Sequence, residues 1–197
     1  MRVQLARSDN EDFTLQRQQL IIAAAKVCFS RSGFHGASMA DMSAESGLGA
    51  AQIYRFFSSK ELLVIETIKV IATEWRTFLE NKLSQQPRVA DIIARDSVFW
   101  QGWSIKDQCL LLEVYSEASR NAAVRDILAE QEQQLITMLD SVFQQREPQA
   151  TAEQRFNQIH FLLLLIDGVA CRTFVDADLD QQEMTRLSAI LSQHLLP

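Results

Sequence analysis

Apolar residues recur along this chain every three or four positions, the spacing that gathers them on one side of an α-helix. From Thr14 to Ser32, TLQRQQLIIAAAKVCFSRS puts Leu20, Ala24, Val27 and Cys28 on one face, with Ile21 and Ala25 beside it. Gly33 then supplies a stop. In GASMADMSAESG, Ser38 and Asp41 have capping-box spacing: the serine caps the helix start and the acid three residues on reaches back. A short helix ending at Gly47 follows from this, and AAQIYRFF predicts a second. SSKELLVIETIKVIATEWRTFLENKL opens with a like pair, Ser58 and Glu61. It continues through Leu62, Ile65, Ile68, Ala72, Trp75 and Leu79 at helical spacing.

The period does not change beyond Pro87. RVADIIARDSVFWQGW predicts one helix stopping near Gly102, and Ser104 with Asp107 caps QCLLLEVYSEASR. AAVRDILAEQEQQLITMLDSVFQQ runs to Pro148. Thr151 with Gln154 caps FNQIHFLLLLIDGVACRTFV, and Asp180 with Glu183 caps MTRLSAILSQHLL. About nine helices and no strand result, an all-α fold. The six glycines and three prolines agree, since a β-rich chain needs many turns. Gly33, Gly36, Gly47 and Gly49 all fall early, so short elements come first and long helices after.

Three short helices with a tight turn, followed by long ones, describe a helix-turn-helix head on a helical body. In such a head the second helix of the pair enters the major groove, whose ~12 Å width admits one α-helix. Met42, Ser46, Leu48, Ile53 and Phe57 are placed to pack the pair, and Gly47 to turn between them. Gln52 presents a donor and an acceptor together, which suits adenine. Tyr54, Arg55 and Lys60 can donate to phosphates, as can Ser38 with the free N–H groups at its helix start. Helix pairs of this length also occur in enzymes and protein-binding modules.

SMADMSAESGLGAAQIYRFFSSKELL resembles the helix-turn-helix of the tetracycline-repressor (TetR) family of bacterial transcription regulators. Ser38, Met42, Ser46, Gly47, Leu48, Ile53, Tyr54, Phe57, Lys60, Glu61 and Leu63 fall in register with that family's pattern, and AAAKVCFSRSGFHGAS looks like its first helix and link. The resemblance implies that Ser38, Tyr54 and Lys60 touch phosphates and that Gly49, Ala50, Ala51 and Gln52 face the bases. Three positions depart from the pattern. Gly49 stands for Ser, Ala51 for Gly, and Phe56 for a His or Tyr that could donate, a contact for which Arg55 is the substitute at hand. The expected organisation is a flexible arm over 1–12, a DNA-binding domain over 13–58, and an effector-binding and dimerisation domain over 59–197.

A net charge of −6 changes this picture only on the surface. Residues 1–60 hold seven Lys/Arg and five Asp/Glu, a net of +2, and the remainder twelve and twenty, a net of −8. An acidic body with a mildly basic head can still approach DNA head first. The opening MRVQLARSDNED has no apolar h-region, so no secretory leader is expected. The longest apolar run, FLLLLI, is far short of the ~20 residues a membrane span needs. Cys28, Cys109 and Cys171 lack metal spacing and fit a cytoplasmic chain, although a cysteine redox sensor among them is an alternative switch. No cofactor is expected. Neither a nucleophile motif nor a phosphate loop suggests an enzyme.

In the body, Trp75, Phe78, Phe99, Trp100, Trp103, Leu112, Tyr115, Met138, Phe161 and Phe174 could line an apolar effector pocket. LLLLIDGVACRTF resembles the penultimate helix of a betaine-regulator-like branch of the family. That helix is apolar nearly all round, so it needs covering on every side. Leu162, Leu165 and Val169, with Leu187, Ile190 and Leu191 on the last helix, are the expected four-helix homodimer interface. The reading is a dimeric repressor, released from a near-palindromic operator by a small apolar or aromatic effector. A protein-interaction module without a DNA role is the other class.

Overall fold

The computed structural model describes the backbone of residues 2–174 and 181–195. Among these it holds nine α-helices, two short 3-10 turns and no strand, the all-α fold that the periodicity predicts. The helices are α1 (Arg2–Gly36), α2 (Met39–Ser46), α3 (Ala50–Phe56), α4 (Lys60–Ser84), α5 (Val89–Ile93), α6 (Ile105–Ala118), α7 (Ala122–Arg146), α8 (Ala152–Cys171) and α9 (Gln181–Leu195). They form two compact units, Met1–Ile71 with Cys109–Val124, and Ala72–Gln108 with Arg125–Pro197. The chain passes from one unit into the other within α4, α6 and α7. No described helix is long and apolar enough to cross a membrane, and no group of described side chains could hold a metal ion.

In the first unit α1 packs on α2 and α3. Its buried stripe is Ile21, Ala25 and Phe29, flanked by Ala24 and Cys28. Leu20, expected inside, is exposed instead. The bulky side chains set the direction, because Phe29 meets Phe34 edge-on at 5.0 Å between centroids and turns its own face inward. Gly33 then breaks the helix with φ 69° and ψ 170°, a region essentially reserved for glycine. A Cβ there would stand 3.0 Å from a carboxylate oxygen of Glu113. The break frees the Phe34 N–H, and Glu113 accepts it at 3.3 Å. Lys60 Nζ donates to the His35 carbonyl at 3.0 Å, so the last turn of α1 is held by side chains from both α4 and α6.

Glu117 lies one turn beyond Glu113. It is buried, and its carboxylate meets His35 at 3.2 Å, Arg120, and Asn121 at 3.3 Å. Burial works against its charge, but hydrogen bonds from Asn121, Arg120 and His35 and the charge of Arg120 outweigh it and hold the group below its ordinary value.

In the second unit α5 packs against α8 and α9. Leu79, Leu83, Ile92, Leu139, Phe143, Ile159, Leu162 and Ile166 are buried there. The single helix expected up to Gly102 is instead α5 followed by a 3-10 turn, Val98–Trp100. Side chains take the carbonyls that a longer helix would use: Ser97 Oγ donates to Asp91 O, and the Trp100 indole donates to Ile92 O at 2.9 Å. Arg155, buried on α8, pairs with Asp140 at 2.7 Å and donates to Ala150 O at 2.8 Å.

The capping boxes at Ser38–Asp41, Ser104–Asp107 and Thr151–Gln154 form as expected. The one placed at Ser58–Glu61 does not. Ser59 caps α4 by accepting the Leu62 N–H at 3.1 Å, so the register is one residue later. Asp180 lies outside the described residues.

Gly33→Ala should destabilise the protein by about 1–3 kcal/mol, read from urea unfolding, because the new Cβ meets both a disfavoured φ and Glu113. Glu117 stabilises the folded state above the ordinary glutamate range, and that contribution is lost as pH falls through its lowered pKa. The stability gap between wild type and Glu117→Gln should therefore be widest near neutral pH and shrink on acidification, measured by urea unfolding across that range.

Candidate nucleic-acid interface

At seven residues α3 is too short to stand alone, and its position is set by what it buries. Ile53 and Phe57 are enclosed, as are Met42 on α2 and Leu48 in the turn. Gly47 makes the turn at φ 68°. Ser43 Oγ donates to Leu48 O at 2.6 Å, and Ser46 Oγ accepts the Leu48 N–H at 3.3 Å. Ser46 is thus half-buried and serves the turn by hydrogen bonding as well as by its small size.

With that face fixed, Ala50, Ala51, Gln52, Tyr54 and Arg55 stand exposed on the other, and Gly49 is exposed at the helix start. Gln52 has a second task that sequence reasoning missed: its Oε1 accepts the Gly49 N–H at 3.1 Å. Glycine has no side chain to cap its own helix, so Gln52 caps it, leaving its amide N–H pair for an outside acceptor. Bidentate pairing with adenine would place a second donor on Oε1, whose other lone pair already takes the Gly49 N–H. A glutamine three residues after a glycine N-cap was the available signal.

The phosphate candidates are less free than their exposure suggests. Ser38 donates its hydroxyl to Asp41 at 2.7 Å and its N–H to the same oxygen at 2.8 Å. The Ser38 hydroxyl, and then its N–H, keep the Asp41 carboxyl below the usual range and so ionised. A phosphate would therefore compete with a carboxylate for Ser38. Lys60 is half-buried and tied to His35 O. Arg55 is exposed and has no carboxylate partner among the described residues. It lines a cleft of about 110 Å³ with Phe13, Arg17, Leu48, Gln52 and Phe56. Phe13 and Arg17 were not anticipated, although they stand eight and four residues before Ile21 on the same face of α1.

In the second unit Trp75, Phe78, Phe99, Trp100 and Trp103 form one aromatic cluster. Centroid separations are 4.8 Å for Trp75–Trp103, 5.1 Å for Phe78–Trp103 and 5.0 Å for Phe99–Trp100. Lys82 Nζ sits 5.6 Å from the Phe78 centroid. The other pocket candidates are not gathered with them. Leu112 and Tyr115 belong to the first unit, Met138 is half-buried on α7, and Phe161 and Phe174 are exposed. Of the interface candidates, Leu162 is fully enclosed by its own chain. Leu165, Val169 and Leu191 are half-buried, Leu187 and Ile190 are exposed, and Leu164, not anticipated, is 70% exposed.

Gln52→Ala should cost ~1–3 kcal/mol of discrimination at one base pair, whereas Lys60→Ala should weaken binding to every sequence alike. Fluorescence anisotropy with a preferred duplex, its single-base variants and a random duplex separates the two.

Residues 21–67 match the model of the bacterial regulatory proteins of the tetR family. No curated protein matches the chain. Solved structures do share its fold. GusR of Salmonella enterica is 23% identical with a TM-score of 0.67, over 92% of this chain and 96% of its own. A TetR transcription regulator of Haloarcula marismortui is 18% identical with a TM-score of 0.67, over 91% and 96%. The regulator FadR of Bacillus subtilis, solved with stearoyl-CoA, is 16% identical with a TM-score of 0.63, over 90% and 97%. Residues 21–67, in which α3 is pinned by Ile53 and Phe57, are thus similar to the bacterial regulatory proteins of the tetR family, and the fold along the chain is shared with solved regulators of that kind.

Proposed function

We propose that the protein is a dimeric, cytoplasmic repressor that leaves a near-palindromic operator when a small apolar or aromatic effector enters its body. The observation that carries the DNA half is α3 itself, buried through Ile53 and Phe57 with Gln52, Tyr54 and Arg55 outward. On this reading residues 13–58 are the DNA-binding domain, and Gly49 to Gln52 face the bases. Ser38, Tyr54, Arg55 and Lys60 serve phosphates.

Residues 59–197 are then the effector and dimerisation domain. The five-membered aromatic cluster supports an apolar effector. A buried polar atom refines it. Gln108 Oε1 accepts the Trp103 indole N–H at 3.1 Å, which fixes the amide orientation, and Nε2 is buried without a partner among the described residues. An effector bringing a carbonyl or carboxylate oxygen would satisfy it. On the same fold FadR holds stearoyl-CoA, so a body of this kind has room for a ligand. The cysteine alternative draws less support. Partial desolvation, and then Asp167, push the thiol of exposed Cys171 above its ordinary value, and burial raises that of buried Cys28, shifts that work against thiolate formation.

For dimerisation, Phe161 and Leu164 on α8 with Leu187 and Ile190 on α9 present apolar side chains outward in one unit. Exposed apolar side chains on two successive helices suit a partner surface, and an isologous pairing of α8 and α9 supplies one. Two heads held ~34–36 Å apart would then read two half-sites.

Selection of bound duplexes from a random pool at near-physiological salt should enrich a near-palindrome. A folded dimer that enriches nothing would overturn the repressor reading. Leu164→Asp should raise the dimer dissociation constant by at least about a hundredfold, given that burying an unpaired charge costs several kcal/mol, as measured by sedimentation. A dimer of unchanged stability would move the interface elsewhere.

A further inference from the structure

The cleft beside α3 brings a residue of α1 onto the DNA-facing side of the head. Arg17 lines it together with Gln52 and Arg55, and both of those stand on the exposed face of the reading helix. Two observations define its state. First, its guanidinium carbon lies 5.0 Å from the centroid of the Phe13 ring, within the range of a cation–π contact. Stacking fixes the guanidinium plane without using its N–H donors, so they remain available to a further acceptor. Second, no described carboxylate pairs with it. Elsewhere in this unit Arg31 pairs with Glu45 at 3.1 Å, and Arg120 pairs with Glu117. Arg17 and Arg55 have no carboxylate partner among the described residues. Phe13, Leu48 and Phe56, which complete the cleft, offer apolar walls and no acceptor side chain. In a chain of net charge −6, two arginines at one cleft beside exposed α3, without a carboxylate partner among the described residues, are placed for an external anion.

We propose that Arg17 is a backbone-phosphate contact of the operator complex, with Phe13 as the platform that orients it. The duplex that seats Gln52 on a base edge runs a phosphate past this cleft, and the guanidinium meets two of its oxygens with parallel N–H donors, as a lysine could not. Arg17 thereby anchors α1 to the same DNA strand region that α3 reads, fixing the tilt of the reading helix from outside it. It carries no base preference of its own. This inference rests on the DNA-binding reading above.

The test is the salt dependence of binding by the full chain, using the duplex enriched from the random pool and a random duplex of equal length. Arg17→Ala should bind both more weakly by a similar factor, and should flatten the slope of log affinity against log salt by about 0.9 for each bound head, the share of one phosphate. Arg17→Lys should restore the slope while recovering only part of the affinity. Phe13→Leu should keep the slope and lose affinity, since the charge stays and its platform goes. Arg17→Gln, which removes the charge while keeping a polar side chain, provides the same comparison if the alanine variant melts, and circular dichroism identifies that case. An Arg17→Gln protein with wild-type slope and affinity overturns the proposal. A loss confined to one base position overturns it as well, since Arg17 would then read a base. Wild-type protein showing no salt-dependent duplex binding would instead overturn the DNA-binding reading on which the proposal stands.

Discussion

A helix of seven residues does not pay for its own nucleation, and α3 exists in this protein because Ile53 and Phe57 are removed from water against α1 and α2. The orientation of α3 depends on that burial. It fixes which side of the helix turns outward, and so decides that Gln52, Tyr54 and Arg55 are presented together. The turn that delivers α3 is built for the same end. Gly47 takes the left-handed conformation, and two serine hydroxyls absorb the N–H and C=O of Leu48. Leu48 can then enter the core without leaving backbone polar groups unpaired.

The head is held from behind by charge as well as by packing. At Gly33 the chain leaves helical geometry, and the polar groups released by the break are taken up at once, the Phe34 N–H by Glu113 and the His35 carbonyl by Lys60. Glu113 and Glu117 lie one turn apart on α6 and both address the end of α1. A buried carboxylate such as Glu117 is tolerable only because His35, Arg120 and Asn121 all donate toward it. The end of α1 is therefore among the most constrained places in the head, and a change in α6 reaches it through named hydrogen bonds.

Charge is distributed to the same purpose. The body carries the acidic excess, and several of its arginines pair with its own acids, as Arg76 does with Glu80, Arg88 with Asp91, and Arg155 with Asp140. At the cleft beside α3 the opposite holds, and Arg17 and Arg55 have no carboxylate partner among the described residues. Asp41 is the exception: an ionised carboxylate beside Ser38, it caps α2 at the cost of crowding a site where a phosphate is expected. Helix integrity and anion binding compete there for one hydroxyl.

The sequence by itself determined whatever is decided within a few residues. Helical period, the glycine turn, and three capping boxes were legible because their partners sit three or four positions apart, where chain geometry alone brings them together. The helix-turn-helix was legible for the same reason, since its buried and exposed positions alternate within one short segment. What only the tertiary structure decided was direction and competition. Leu20 and Leu162 sit in stretches with apolar residues on several sides, so period could not say which would face the core, and packing turned one outward and the other inward. The helix expected through residues 88–102 lost its carbonyls to Ser97 and Trp100, side chains that only folding brings to them. Arg17 became a candidate at the reading face through a cleft shared with α3, thirty-five residues on from it at Gln52. Proximity of that kind is written in the packing of helices, because it depends on where each helix stops and how its buried face is turned.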